Sequence, residues 1–129
     1  MPHLIIDYSA NLETALDMAA LCDRLRVVAT GLDAFPAAGV RVRAIAAQHY
    51  SIADGNPAHG YIDISVRLRA GRAAQVKEHA VQTLFDAARA FVAPVMQHQP
   101  IALSMEMRDI DPDLSPKTGT IRKFLESGR

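Results

Sequence analysis

Residues 61–69 alternate without interruption: Ile62, Ile64, Val66 and Leu68 fall on one side, Tyr61, Asp63, Ser65 and Arg67 on the other. A period of two over nine residues is the signature of a half-buried β-strand, because successive side chains of an extended chain point to opposite faces. Ile101 to Asp109 repeats the pattern, with Ile101, Leu103, Met105 and Met107 set against Ser104, Glu106 and Arg108. Between the two lies a different period. From Ala73 to about Met96 the residues Val76, Ala80, Leu84, Ala88, Phe91 and Val95 recur at three and four, which is helical spacing. Pro94 is expected to kink or end that helix, since it has no N–H and crowds the preceding turn.

The first half of the chain carries the same order. Pro2 to Asp7 is expected to be a buried strand, and a helix is expected from Leu12 to about Ala29 on the spacing of Leu12, Leu16, Ala19, Leu21, Leu25 and Val28. Ser9 or Asn11 is the candidate cap at its start, and Gly31 can close it in a left-handed conformation. Val40 to about Ile52 reads as extended, with Arg41 and Arg43 on one face and Val40, Val42 and Ala44 on the other. Turns separate these elements at Phe35-Pro36 with Gly39, at Asp54-Gly55-Asn56-Pro57 and at Ala70-Gly71-Arg72. After Asp109 a loop leads to a short closing helix that Thr120 is placed to cap, through Leu125.

Strand, helix, strand, twice over, predicts two right-handed crossovers, each joining parallel strands. Two helices cover one face of a four-stranded sheet, so the expected architecture is an α/β two-layer sandwich of duplicated β-α-β units. The other face, bearing Asp63, Ser65, Arg67, Ser104, Glu106 and Arg108, is expected to be solvated or packed on another subunit.

Composition narrows the class. A chain of 129 residues is read as a single domain over 1–129. Zero net charge removes the basic footprint of a nucleic-acid binder, and one cysteine, Cys22, removes a disulfide framework or a thiolate zinc site. With neither a signal-like start nor an apolar run of membrane-spanning length, the expected location is the cytoplasm, with no membrane partner.

The first residues carry the strongest chemical candidate. If Met1 is trimmed, Pro2 becomes a free secondary amine at the end of a strand. Such an amine has a reference pKa of about 8, and a drop of about one unit by burial or nearby cations leaves it largely neutral near pH 7. The structural alternative is equally concrete: proline opens strands because it need not donate to the ladder, and with Met1 attached its nitrogen is an amide without basicity.

Several stretches, taken together, resemble the 5-carboxymethyl-2-hydroxymuconate isomerases of the tautomerase superfamily. They are Pro2-His3-Leu4-Ile5, Thr30-Gly31 to Phe35-Pro36, Gly39-Val40-Arg41-Val42-Arg43, Ile52-Ala53-Asp54-Gly55, Ala70-Gly71-Arg72 and Ile101-Ala102-Leu103-Ser104. The resemblance implies a homotrimer, a polycarboxylate small-molecule substrate, and no metal or organic cofactor. It implies Pro2 as the catalytic amine, Arg41 and Arg72 as active-site arginines that bind substrate, and Phe35 as an aromatic near the pocket. It also implies ketonisation of a 2-hydroxy-2,4-dienoate to a 2-oxo-3-enoate. Within the enzyme class, another 2-hydroxymuconate or an enolisable 2-oxo acid would suit the same groups. Outside it stands a non-catalytic trimeric anion-binding protein, the reading that retention of Met1 favours.

On residue type alone, Arg41 and Arg72 read as solvated or ion-paired strand-end arginines, as do Arg43, Arg67 and Arg69. His3, His49, His59, His79 and His98 lack metal-ligand spacing, and only His3 neighbours the proposed base. Asp109, Asp111 and Asp113 alternate like a calcium loop without its glycine and closing glutamate, and read as a turn. Cys22, among apolar neighbours on a helix, reads as a small hydrophobe.

Overall fold

A computed structural model describes residues 2–125. The strands are β1 (His3–Ser9), β2 (Arg41–Ala47), β3 (Gly60–Arg69) and β4 (Ile101–Ile110), and the helices are α1 (Met18–Thr30) and α2 (Ala74–Met96). They form one mixed sheet in the order β2-β1-β3-β4. β1 runs parallel to β2, β3 runs parallel to β4, and the two units meet antiparallel along β1 and β3. This is the expected two-layer α/β sandwich of duplicated β-α-β units.

The alternation of β3 is obeyed at every position: Ile62, Ile64, Val66 and Leu68 are fully buried. They meet Leu4, Ile6 and Tyr8 of β1 in a core closed by Leu21 and Leu25 of α1 and by Ala80, Leu84, Ala88 and Val92 of α2. Burying one such aliphatic side chain contributes roughly 1.5–3 kcal/mol, so the core face fixes the register of each strand. Met105 and Met107 pack against this core from β4, as packing alone requires.

Four local expectations are corrected. α1 starts at Met18 rather than Leu12, because Asp17 caps it by accepting from Ala20 N at 3.0 Å. The stretch before it turns as a 3-10 segment, Ala10–Leu12, that buries Leu12. Ser9 and Asn11 do not cap the helix: Ser9 Oγ accepts from Tyr61 N at 3.0 Å, and Asn11 Nδ2 donates to His59 O at 2.8 Å. Gly31 closes α1 from the right-handed region, at φ −83°, so no left-handed turn is used. β2 ends at Ala47, and the chain to Gly60 is a loop whose turn places Ala53 at φ 52° and Gly55 at φ 86°.

Pro94 lies inside α2, which runs on to Met96. Its missing N–H falls in the last turn on an exposed face, where water can satisfy the released carbonyl. The tail forms a 3-10 turn at Pro112–Leu114, capped by the Asp111 carboxylate on Asp113 N at 2.9 Å, and another at Ile121–Phe124. Thr120 precedes the second without a side-chain capping bond. Asp111 is therefore a turn residue. Among the described residues, no three His, Cys, Asp or Glu side chains are grouped to hold a metal ion, and no helix is long and apolar enough to cross a membrane.

Candidate active site

Both helices lie on one face of the sheet, leaving the other face uncovered, and its side chains are sorted by charge. Strand pairing sets His3 beside Arg41 on one side and Arg67 on the other, with Arg108 next to Arg67. One end of the face is thus a row of three arginines and a histidine. Four residues along β1, on the same face, Asp7 pairs with Asp63. Like charges placed opposite each other repel, and hydroxyl donors offset this: Tyr61 Oη donates to Asp7 at 2.7 Å and Ser104 Oγ donates to Asp63 at 2.7 Å. Burial together with that bond to Asp7 pushes the Tyr61 phenol up to about 12.

Pro2 opens β1 at the arginine end and is buried. Its carbonyl accepts from Arg41 N at 3.1 Å, which extends the parallel ladder back to the second residue of the chain. Arg41 Nη1 lies 3.3 Å from His3 Nε2. A guanidinium has no acceptor, so Nε2 must present its lone pair and the ring proton sits on Nδ1. That Nδ1 is buried with no hydrogen-bond partner among the described residues. Burial first, then the charges of Arg67, Arg41 and Arg43, hold the His3 pKa below 6.5. The neutral ring is the form this site selects.

Arg72 stands at the same end, because β3 finishes there at Arg69 and the chain turns at Gly71, φ +117°. Its side chain reaches back to donate from Nε to Ala34 O at 2.8 Å and from Nη1 to Arg69 O at 3.1 Å. These bonds tie the loop after α1 to the end of β3. Phe35, next to that acceptor, is fully buried in the core. Any part it plays in the site is played through the loop it holds, since it presents no surface of its own.

Beside Arg41 lies a cavity of about 360 Å³, lined by Ala38 and Gly39 before β2 and by Lys117, Thr118, Ile121 and Arg122 of the tail. The size suits a small organic acid. Residue-by-residue reading did not bring the tail to this end. The cavity brings together Arg41 and residues 117–122, segments about 76 residues apart, and no period or spacing in the chain signals it.

A duplicated β-α-β sheet with one uncovered face is the fold of the tautomerase superfamily. The model of the 5-carboxymethyl-2-hydroxymuconate isomerase family matches residues 2–125, and the chain belongs to that family. It is an isomerase. The 5-carboxymethyl-2-hydroxymuconate Δ-isomerase of Escherichia coli is 26% identical over 126 residues, covering 98% of this chain and all of the relative. A crystal structure of a 5-carboxymethyl-2-hydroxymuconate Δ-isomerase superposes with a TM-score of 0.87 at 33% identity, over 96% of this chain and 92% of the other. The fold alone is shared with an asymmetric trimer of a wild-type fused 4-OT, at a TM-score of 0.64 and 19% identity over 95% of this chain and 98% of that one.

Proposed function

We propose that this protein, working as one tautomerase-like domain, converts 5-carboxymethyl-2-hydroxymuconate to its 2-oxo-3-enoate isomer, with the Pro2 nitrogen as acid and base. The observation that carries the reading is the placement of Pro2 at the cationic end of the uncovered face, its carbonyl bonded to Arg41 N at 3.1 Å and Arg41 in turn lining a cavity.

In the proposed reaction the neutral Pro2 amine, freed by removal of Met1, takes the proton of the 2-hydroxyl. The oxygen lone pair forms the C2 carbonyl, the C2–C3 and C4–C5 double bonds shift to C3–C4, and the ammonium returns one proton to C5. No atom is gained or lost. One group serves both transfers when its pKa lies near the working pH, and cations nearby favour this by resisting a further positive charge. Negative charge grows on the 2-oxygen as the proton leaves, and guanidinium donors stabilise it. Arg41 is assigned to substrate carboxylate and the developing oxyanion. Arg72, two of whose donors bond backbone carbonyls, is assigned to holding the pocket wall and to binding with its remaining donors. Phe35 is assigned to packing beneath that wall.

A homotrimer completes the proposal. Ile45 on the uncovered face and Leu114 and Phe124 on the tail are 55%, 80% and 82% exposed, an apolar load that a ring of like subunits would cover. Turnover then occurs in a compartment where Met1 is processed, which the cytoplasm provides.

Intact-mass measurement is expected to show Met1 absent from the native protein. Pro2→Ala is expected to lower turnover of 5-carboxymethyl-2-hydroxymuconate by about 10²-fold or more, the usual worth of a positioned acid/base, with an unchanged circular dichroism spectrum. Equal rates in the two proteins would overturn the mechanism.

A further inference from the structure

We propose that His3 is a positioning residue, whose ring Nε2 holds the Arg41 guanidinium in the orientation that receives a substrate carboxylate. The inference deepens the proposed function and rests on its assignment of Arg41 to substrate.

Strand pairing supplies the geometry. His3 and Arg41 are direct partners in the parallel ladder of β1 and β2, so their side chains leave the sheet side by side on the uncovered face. The backbone beneath them is pinned as well, by Arg41 N on Pro2 O at 3.1 Å. From that fixed base a long arginine side chain still carries much rotamer freedom. The contact of Nη1 with His3 Nε2 at 3.3 Å removes part of it. Because the guanidinium is planar and rigid, holding one nitrogen restrains the others.

The kind of acceptor is the second support. Arg26, Arg89 and Arg108 donate to carboxylates, each of which answers the charge it holds. An imidazole lone pair bonds the same kind of donor without bringing a negative charge to the cavity that Arg41 lines. A substrate carboxylate therefore meets no competing anion from His3. Burial, with Arg67 on one neighbouring strand and Arg41 and Arg43 on the other, keeps the ring in this neutral form.

The other half of the ring is the third support. Nδ1 carries the proton and is buried with no partner among the described residues. A buried donor left unmade is destabilising, so packing alone would favour an apolar side chain at position 3. Such a group calls for a compensating use, and the contact of Nε2 with Arg41 supplies one.

Titration calorimetry with cis,cis-muconate reads the coupling apart from the chemistry, because that diene dicarboxylate has no 2-hydroxyl to ketonise. Near neutral pH, Arg41→Ala is expected to bind it about ten-fold more weakly than the wild type, and His3→Leu about five-fold more weakly with an unchanged or higher Tm. In the Arg41→Ala background His3→Leu is expected to add nothing, the signature of two residues acting through one contact. His3→Gln places an amide oxygen at about the reach of Nε2 and is expected to bind within about two-fold of the wild type. His3→Asn, polar but too short to reach Arg41, is expected to be as weak as His3→Leu, so the result does not hang on one variant folding. Losses that add in the double variant overturn the assignment, as does wild-type affinity in His3→Leu, His3→Asn or Arg41→Ala, or a His3→Gln protein as weak as His3→Leu. Failure of the proton-transfer reading shows differently, as full turnover by Pro2→Ala, and leaves the muconate affinities to be judged on their own result.

Discussion

The two β-α-β units are built alike, yet their opening ends have been put to opposite uses. β1 opens on Pro2 and His3 beside Arg41 of β2, and β3 opens on Gly60 beside Ile101 of β4, at the far end of the sheet because β1 and β3 are antiparallel. Each opening is tied by one bond to a proline carbonyl, with donor and acceptor strands exchanged: Arg41 N of β2 donates to Pro2 O ahead of β1 at 3.1 Å, and Gly60 N of β3 to Pro100 O ahead of β4 at 2.9 Å. Beyond that the resemblance stops. The strand opening at Gly60 is covered. The 3-10 segment Ala10–Leu12 folds over it, Leu12 so close that a Cβ on Gly60 would sit 2.7 Å from Leu12 Cδ2. Asn11 and Ser9 satisfy the backbone of residues 57, 59 and 61 there. The Pro2 end has guanidinium groups in place of this plug; a cavity lies near each end, lined by Arg41 and the tail at one and by the loop of residues 48–59 at the other. Duplication supplies two equivalent strand openings, and what the following turn does with each decides whether the strand opening is plugged by apolar side chains or left to charged ones.

This contrast can be broken from either side. The largest effect is expected at the Pro2 end, where Arg41→Ala removes charge-assisted contacts worth about 1.5–3 kcal/mol and lowers kcat/KM by about ten-fold to a hundred-fold in steady-state assays. Unchanged kinetics would remove Arg41 from the site. At the covered opening, Gly60→Ala forces Leu12 out of a fully packed position and is expected to cost about 1–3 kcal/mol, seen as a fall of several degrees in Tm by calorimetry. Its kcat/KM per folded molecule should match the wild type, because the clash lies at the opposite end from Pro2. A loss of activity without loss of stability would show that the ends are coupled.

The smallest effect sharpens the comparison by pH. His3 has its pKa held below 6.5 by burial and by Arg67, Arg41 and Arg43. A group whose folded pKa is depressed binds fewer protons folded than unfolded, so the stability it contributes is present above 6.5 and lost as pH falls through the folded value. Protonation also turns Nε2 from an acceptor into a donor facing Arg41. Both Tm and kcat/KM are therefore expected to decline on the acid side of 6.5, and His3→Gln to flatten that decline. An identical acid limb in the variant would assign it to another group.

Periodicity carried the fold because burial enforces it. The alternation over residues 61–69 and the stripe through Ala80, Leu84 and Ala88 match the side chains found at 0–1% exposure, since one apolar face per element leaves a single way to pack. Where a single polar residue decides, the pattern misled. Asp17, not Ser9 or Asn11, starts α1, and the two rejected caps bond instead to Tyr61 and His59, about 50 residues away. An Asn or Ser side chain has the same local options in each case, and only the partner brought near by folding selects among them.

The site divides along the same line. Pro2 ahead of an apolar strand, and arginines at strand ends and turns, stood in the sequence as types and positions. That Pro2, Arg41, Arg67 and Arg72 come to one end of the sheet follows from β1 being parallel to β2 and antiparallel to β3. Strand direction and register are long-range choices that no local spacing encodes. The tail is the extreme case. It read as a loop and a short closing helix, but its passage across the sheet to Arg41 is set by the whole strand order, because a segment without its own hydrophobic period takes its course from the surface it crosses.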